Sequence, residues 1–277
     1  CKEKAGKDFM QARLERDQKY IQLREERGQL TPVEADYWEL EVEKIPEYEY
    51  GYHKGWDMIL DALTWPVLIM MIICIGIAPI FSGEYQSKCD PLILCMKYGK
   101  SKLISAKIIT VWLFTTCVSW GIRLIYSAVY LGLLGSDGAD LPIQLKYPAV
   151  SVGYHLTMGE AVIYALVLAY FFTLGIVGIT LLMSALLKNT YGVIIIAFLL
   201  IIIPTFLSPD TGGYTWSRIL SLFPSKIADF SFQSYTAYSI GNVVIRWPDM
   251  AMIVNGAGAV IFSAISYWIF RKHQVNK

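Results

Sequence analysis

Apolar residues fall into five long runs, and all of them lie after residue 56. A helix needs about 20 mostly apolar residues to cross a hydrocarbon core of about 30 Å. The runs at 58–81, 103–134, 157–187, 191–207 and 250–270 are read as membrane spans on that ground. The first carries Asp61 near its start, with Pro66 and Pro79 as expected bends. The third holds Gly175 and Gly178, and the fourth is short, with Pro204 near its end. None has the charged start and small-residue cleavage site of a secretory signal. The pattern predicts an all-α polytopic membrane protein.

Ahead of these runs the pattern changes. Residues 7–27 lack Pro and Gly and are rich in helix formers, with Gly28 as a stop. The tetrapeptide "TPVE" then puts Thr31 at an N-cap, Pro32 at the first helical position and Glu34 three residues on, a capping-box signature. A second helix is expected to about Lys44. The apolar stripe of the pair (Met10, Leu14, Ile21, Trp38, Leu40) is narrow. The expectation is therefore a largely solvated helical hairpin over 1–56, a spacer or a docking surface, followed by a membrane domain over 57–277. The tyrosine-rich "PEYEYGYHKGW" at 46–56 reads as an interfacial aromatic anchor.

Composition agrees with this division. Only 17% of the 277 residues are charged, against about 25% in soluble domains, and 23 of the 47 charged residues sit in the first 56. A net charge of +1 gives no ground for nucleic-acid binding. The cysteines (1, 74, 89, 95, 117) and histidines (53, 155, 273) are scattered, whereas zinc needs about four converging ligands, so no metal site is expected.

Lysine and arginine bias sets an orientation. With the 78–109 stretch inside the cell, the inner side gains Lys88, Lys97, Lys100, Lys102, Lys107, Lys188, Arg271, Lys272 and Lys277, while the outer loops after residue 56 hold only Lys146, Arg218, Lys226 and Arg246. The C-terminus is then cytoplasmic and residues 1–56 lie outside. That arrangement implies a further span before Cys1, six in the complete chain, or a lipid-modified Cys1.

The inner stretch "APIFSGEYQSKCDPLILCMKYGKSKLISAKII", residues 78–109, carries the most chemistry. Asp90 is read as an N-cap with Pro91 behind it, and Gly99 as a C-terminal cap. Between them lie about two turns, Leu92, Ile93, Leu94 and Met96 among them, too short to span and too apolar to stand free in water. Lys97, Lys100 and Lys102 suit both the helix end and anionic headgroups. "GKS" at 99–101 echoes a phosphate loop, but the glycine required five residues earlier is Leu94, so no nucleotide is expected on this chain.

These residues resemble the first cytoplasmic segment of type-2 ATP-binding-cassette (ABC) transporter permeases. The matching features are Glu84, the short leucine-rich helix over 92–96, Tyr98-Gly99-Lys100, and Ala106-Lys107 entering the next span. Ser87-Lys88-Cys89 departs mildly from the family, whose members often carry a glycine there. The resemblance continues through the span count, the short fourth span and "SLFPSK". It implies a coupling helix, with Glu84, Asp90, Leu92, Ile93, Leu94, Met96, Tyr98, Gly99 and Lys100 seated against a separate ABC ATPase subunit that holds ATP and Mg. It further implies a second permease subunit, a surrounding lipid bilayer and substrate export, with no enzyme activity of this chain's own.

Two more features are singled out. Arg123 lies within the second run, where a charge is costly, and it is expected to pair with Glu160, to snorkel outward, or to contact substrate. The outer loop 208–247 is expected to form short helices, with Trp216, Phe223 and Phe230 as outer-gate residues or interface anchors; the resembled family has a re-entrant hairpin here. No hydrolase or metalloprotease motif occurs. The rival reading is a non-transporting scaffold or sensor that binds a ligand through the outer hairpin.

Overall fold

In the computed structural model, described for residues 2–45, 50–62, 66–99, 101–207, 213–241 and 243–272, the chain is a bundle of long apolar helices with a folded head at one end. Helix α1 (Lys2–Glu26) ends at Gly28, whose φ of 66° is left-handed and costs glycine little. Helix α2 (Pro32–Glu43) opens with the expected capping box: the Glu34 amide donates to Thr31 Oγ1 (3.4 Å), and the Thr31 amide donates to Glu34 Oε2 (3.1 Å).

The first apolar run is interrupted. Helix α3 (Lys54–Asp61) stands apart from α4 (Pro66–Ile77) and α5 (Pro79–Gln86). Asp61, the last residue of α3, is bound to Lys146 Nζ at 2.6 Å. A short helix, α6 (Asp90–Cys95), precedes α7 (Lys102–Leu134). Then come α8 (Met158–Leu186), α9 (Thr190–Phe206), α10 (Gly213–Ser221), a hairpin of β1 (Ala237–Ile240) and β2 (Val243–Arg246), and α11 (Trp247–Lys272). The two strands are antiparallel, with Ala237 opposite Arg246 and Ile240 opposite Val243. This small β element departs from the all-α expectation.

Among the described residues four helical segments are long and apolar enough to cross a membrane: Pro66–Gln86, Lys102–Leu134, Met158–Leu186 and Trp247–Lys272. Helix α9, counted as a fifth span from the sequence, has 17 residues and a length of only about 26 Å at 1.5 Å per residue.

Helix α8 is the axis of the bundle. A Cβ on Gly175 would meet Asn255 Oδ1 at 2.1 Å, and one on Gly178 would meet Ala259 Cα at 2.9 Å. The two glycines thus let α8 and α11 approach closely, as small residues do between membrane helices. The bend at Ala78–Pro79 is repaired from α8. Ser184 Oγ accepts from the amides of Phe81 and Ser82 (both 3.1 Å) and donates to the Ala78 carbonyl (2.6 Å). Backbone groups freed by a proline inside a bilayer need such partners.

The head is built from α1, α2, the 135–157 loop and the segment from α10 to β2. Ile21, Trp38, Val42, Tyr154, Phe232 and Tyr235 are all buried in it. The Trp38 ring lies 4.9 Å from that of Tyr235 and 5.4 Å from that of Tyr154, and Gly153 leaves room for both large rings. The hairpin's buried positions belong to this core, while Phe9, Leu23, Val33 and Leu40 on it stay exposed. The stripe looked narrow because its partners lie more than a hundred residues away, and residues on either side of position 56 share one core. A buried ion pair locks α10 onto α2. Arg218 Nη2 donates to Glu34 Oε2 (3.0 Å) and to the Gln29 carbonyl (3.1 Å), and Tyr214 Oη donates to Glu34 Oε1 (2.8 Å). Burial pushes the Tyr147 phenol up to about 12 and raises those of Tyr154 and Tyr235 as well.

Candidate functional site

At the end of the bundle away from the head, α5, α6 and the start of α7 form one compact turn. Helix α5 ends at Ser87, and the chain reverses at Lys88, whose φ is 56°. That left-handed value is uncommon outside glycine. Helix α6 has six residues, under two turns, and starts at Asp90 itself. Cys89 holds the cap position, so Asp90 lies in the first turn rather than at the N-cap as expected. Asp90 there places a negative charge where the first-turn N–H groups point.

The C-terminal end also differs from the sequence reading. Met96, extended at ψ 146°, follows the last helical residue. Gly99 is buried and lies against the helix: a Cβ there would come within 1.7 Å of the Ile93 carbonyl oxygen. A glycine is needed for this close approach and not for a left-handed cap.

The outer face of the turn is apolar. Leu92 is 72% exposed and Met96 54%, and Ile93 is half-buried. Tyr98 is exposed with Lys97 and Lys102 over its ring, at 5.4 and 4.7 Å from the centroid. Of the other residues singled out here, Lys100 and the Leu94 side chain lie outside the described residues.

Glu84 turns away from this face and braces it. Its carboxylate pairs with Lys107 Nζ of α7, and Lys107 also donates to the Ile80 carbonyl (2.6 Å) above the rings of Phe81 and Phe270. Both charged groups are only about one-sixth exposed, a setting in which a pair is held by geometry rather than screened away. The sequence reading named both residues but left them unpaired. A lone glutamate and a lone lysine bounding one short inner segment were the available signal.

Arg123 is 1% exposed on α7. Its Nη2 donates to the Ala169 carbonyl and to Thr173 Oγ1 of α8 (both 3.1 Å), and its Nη1 donates to Ser119 Oγ and the Ser119 carbonyl. The proposed pair with Glu160 is not formed. Glu160 closes a capping box at the head of α8, accepting from the Thr157 amide at 2.9 Å. Hydroxyls and carbonyls satisfy the guanidinium, and among the described residues no carboxylate pairs with it. Val111, Thr115, Ser119 and Arg123 recur every fourth residue and form the buried seam of α7, a spacing that places them on one face.

The three candidate gate residues do not converge. Phe230 packs on Phe232 (4.9 Å) and Trp247 (5.6 Å) inside the head, whereas Trp216 is 40% exposed and Phe223 39%. The loop does form the expected short helices, α10 and a 3-10 turn at Pro224–Asp229. No cluster of potential metal ligands occurs among the described residues.

Residues 45–275 match the family described as "Protein of unknown function (DUF2705)". No curated protein and no solved structure matches the chain.

Proposed function

The chain belongs to that DUF2705 family, and within it we propose that this protein is the membrane subunit of an ABC exporter, with α6 as its coupling helix. The observation that carries this reading is the braced turn itself. A short helix exposes Leu92 and Met96, while the Glu84–Lys107 pair ties its root to two long helices. An apolar surface of that kind wants a partner, and a rigid root transmits a push into the bundle. The left-handed Lys88 falls at the place where the resembled permeases often carry a glycine, which favours the same reading.

The topology follows from it. The α6 end is cytoplasmic together with the C-terminus, the head is outside, and α9 is a fifth, minimal span at the short end of the range for membrane helices. The chain works beside a second permease subunit, and the ATP and Mg reside on a separate ATPase. Closure of the ATPases on nucleotide moves α6 and rocks the spans.

Deletion of residues 92–96 tests this. The variant is expected to insert and melt like the parent while losing co-purification with an ATPase and coupled transport. Retention of both would overturn the assignment.

A further inference from the structure

The head contains a cavity of about 290 Å³ between the α1–α2 turn and α10, and its lining includes Arg24, Arg27 and Arg218 with the polar side chains of Tyr214, Ser217 and Thr236. No carboxylate is among the described lining residues. Glu34 lies behind Arg218 and is fully engaged by the Thr31 amide, by Tyr214 and by Arg218 Nη2. It therefore offsets one guanidinium of the three. Among the described residues neither Arg24 nor Arg27 forms an ion pair; Arg24 only stacks on Tyr20, 5.2 Å from the ring centroid. The side chain of Arg218 is nine-tenths buried, and its Nε finds no hydrogen-bond partner.

A concave site with two cations that no described carboxylate pairs, a buried and partly unsatisfied guanidinium and three hydroxyl-bearing side chains is built for an oxyanion. Guanidinium groups bind such ligands through paired, charge-assisted N–H donors. The volume sits at the small end of ligand sites, and three guanidiniums suit a multiply charged head better than a single carboxylate.

We propose that this cavity binds a phosphate group carried by a small molecule or by a lipid headgroup. The site does not depend on the export reading, which only decides the side of the membrane on which the phosphate is met.

The test uses the full chain in two settings. In detergent, calorimetry with pyrophosphate is expected to show binding that weakens with added salt. Binding should fall about tenfold or more in the Arg24→Gln/Arg27→Gln double variant, as loss of charged hydrogen bonds does. Both arginines lie outside the buried Glu34–Arg218 pair, so the unliganded melting temperature should not move. In nanodiscs, a phosphatidylglycerol bilayer is compared with a phosphatidylcholine one. Stabilisation by phosphatidylglycerol alone, lost in the double variant, with no pyrophosphate binding in detergent, assigns a headgroup; pyrophosphate binding assigns a free phosphate. No response of the parent chain to either probe, or a response unchanged in the double variant, overturns the proposal. ATPase co-purification from the same preparations reads the export assignment separately.

Discussion

The head and the α6 turn lie at opposite ends of the same helices and solve opposite problems. The head buries large aromatic rings and charged groups together, and ion pairs hold several of these charges: Asp17 with Arg16, Glu34 with Arg218, and Lys226 with Asp229, with the Leu207 carbonyl also accepting from Lys226 at 2.8 Å. The α6 turn spends its only described ion pair at its root and leaves Leu92 and Met96 in the open. One end is closed by its own contacts apart from the arginine-lined cavity. The other is built like half of an interface, rigid at the base and apolar at the tip. Substitutions at the two ends should therefore separate stability from partner binding.

The largest effect is expected from Glu34→Ala. It strands the Arg218 guanidinium in the head core, and losing one partner of a buried pair costs about 3–5 kcal/mol. Thermal unfolding followed by tryptophan fluorescence should show a melting temperature well below that of the parent, with Trp38 exposed early. An unchanged midpoint would mean that α10 does not depend on α2.

Alkaline pH attacks the same end. The Tyr147 phenol moves from an ordinary 10 to about 12 because burial disfavours the phenolate. Its folded-state pKa is raised, so its contribution is whole below pH 10 and is lost as pH climbs through about 12. Tyrosinate absorbance and the tryptophan signal of the head should change together in that window, while far-ultraviolet helicity of the spans persists.

Much of this architecture was legible where the cause is local. The Thr31–Glu34 box and the stop at Gly28 need only neighbours three or four residues away, and both appear where their signals stand. Three of the four long helices follow their apolar runs to within a few residues. The failures lie where the partner is distant or the signal was passed over. Trp38 was read only as part of a narrow apolar stripe, because its partners Tyr154 and Tyr235 are remote in sequence. Ile240-Gly241-Asn242-Val243 carries a two-residue hairpin signal, but it was submerged in a loop read as helical. Glu160 was matched to Arg123 by charge, although Thr157 three residues earlier repeats the signature seen at Thr31. At the α6 turn the presence of a short helix was readable, while its ends and the pairing of Glu84 with Lys107 across 23 residues were not.

The bundle between the two ends offers an intermediate test. Gly178→Leu drives a side chain into the backbone of Ala259, 2.9 Å from where its Cβ would sit. Overpacking of this kind costs about 1–3 kcal/mol. The melting temperature in detergent should fall by less than in Glu34→Ala, and crosslinking between α8 and α11 should weaken. A neutral result would show that the two helices are free to separate.

Closer to the turn, Glu84→Gln keeps the shape and removes the charge opposite Lys107, which retains the Ile80 carbonyl. The expected loss of stability is about 1 kcal/mol, in the range of a hydrogen bond to a charged group. Under the export reading the larger consequence is mechanical: an ATPase should still bind α6, but its hydrolysis should respond less to the state of the spans. Binding lost along with coupling would place Glu84 in the interface rather than at its root.

The smallest stability effect belongs to Leu92→Ser. The side chain is 72% exposed, and exposed substitutions away from buried features stay within about 0.5 kcal/mol. The melting curve of the isolated chain should therefore superimpose on that of the parent. The apolar tip nevertheless loses its most exposed member, so under the export reading association with an ATPase subunit should weaken in a pull-down from native membranes. The comparison turns on these two readouts moving independently. A Leu92→Ser chain that melts early would make α6 part of the bundle's own core. One that melts normally and still co-purifies with an ATPase as the parent does would remove the exposed tip from the interface that the export reading assigns to it.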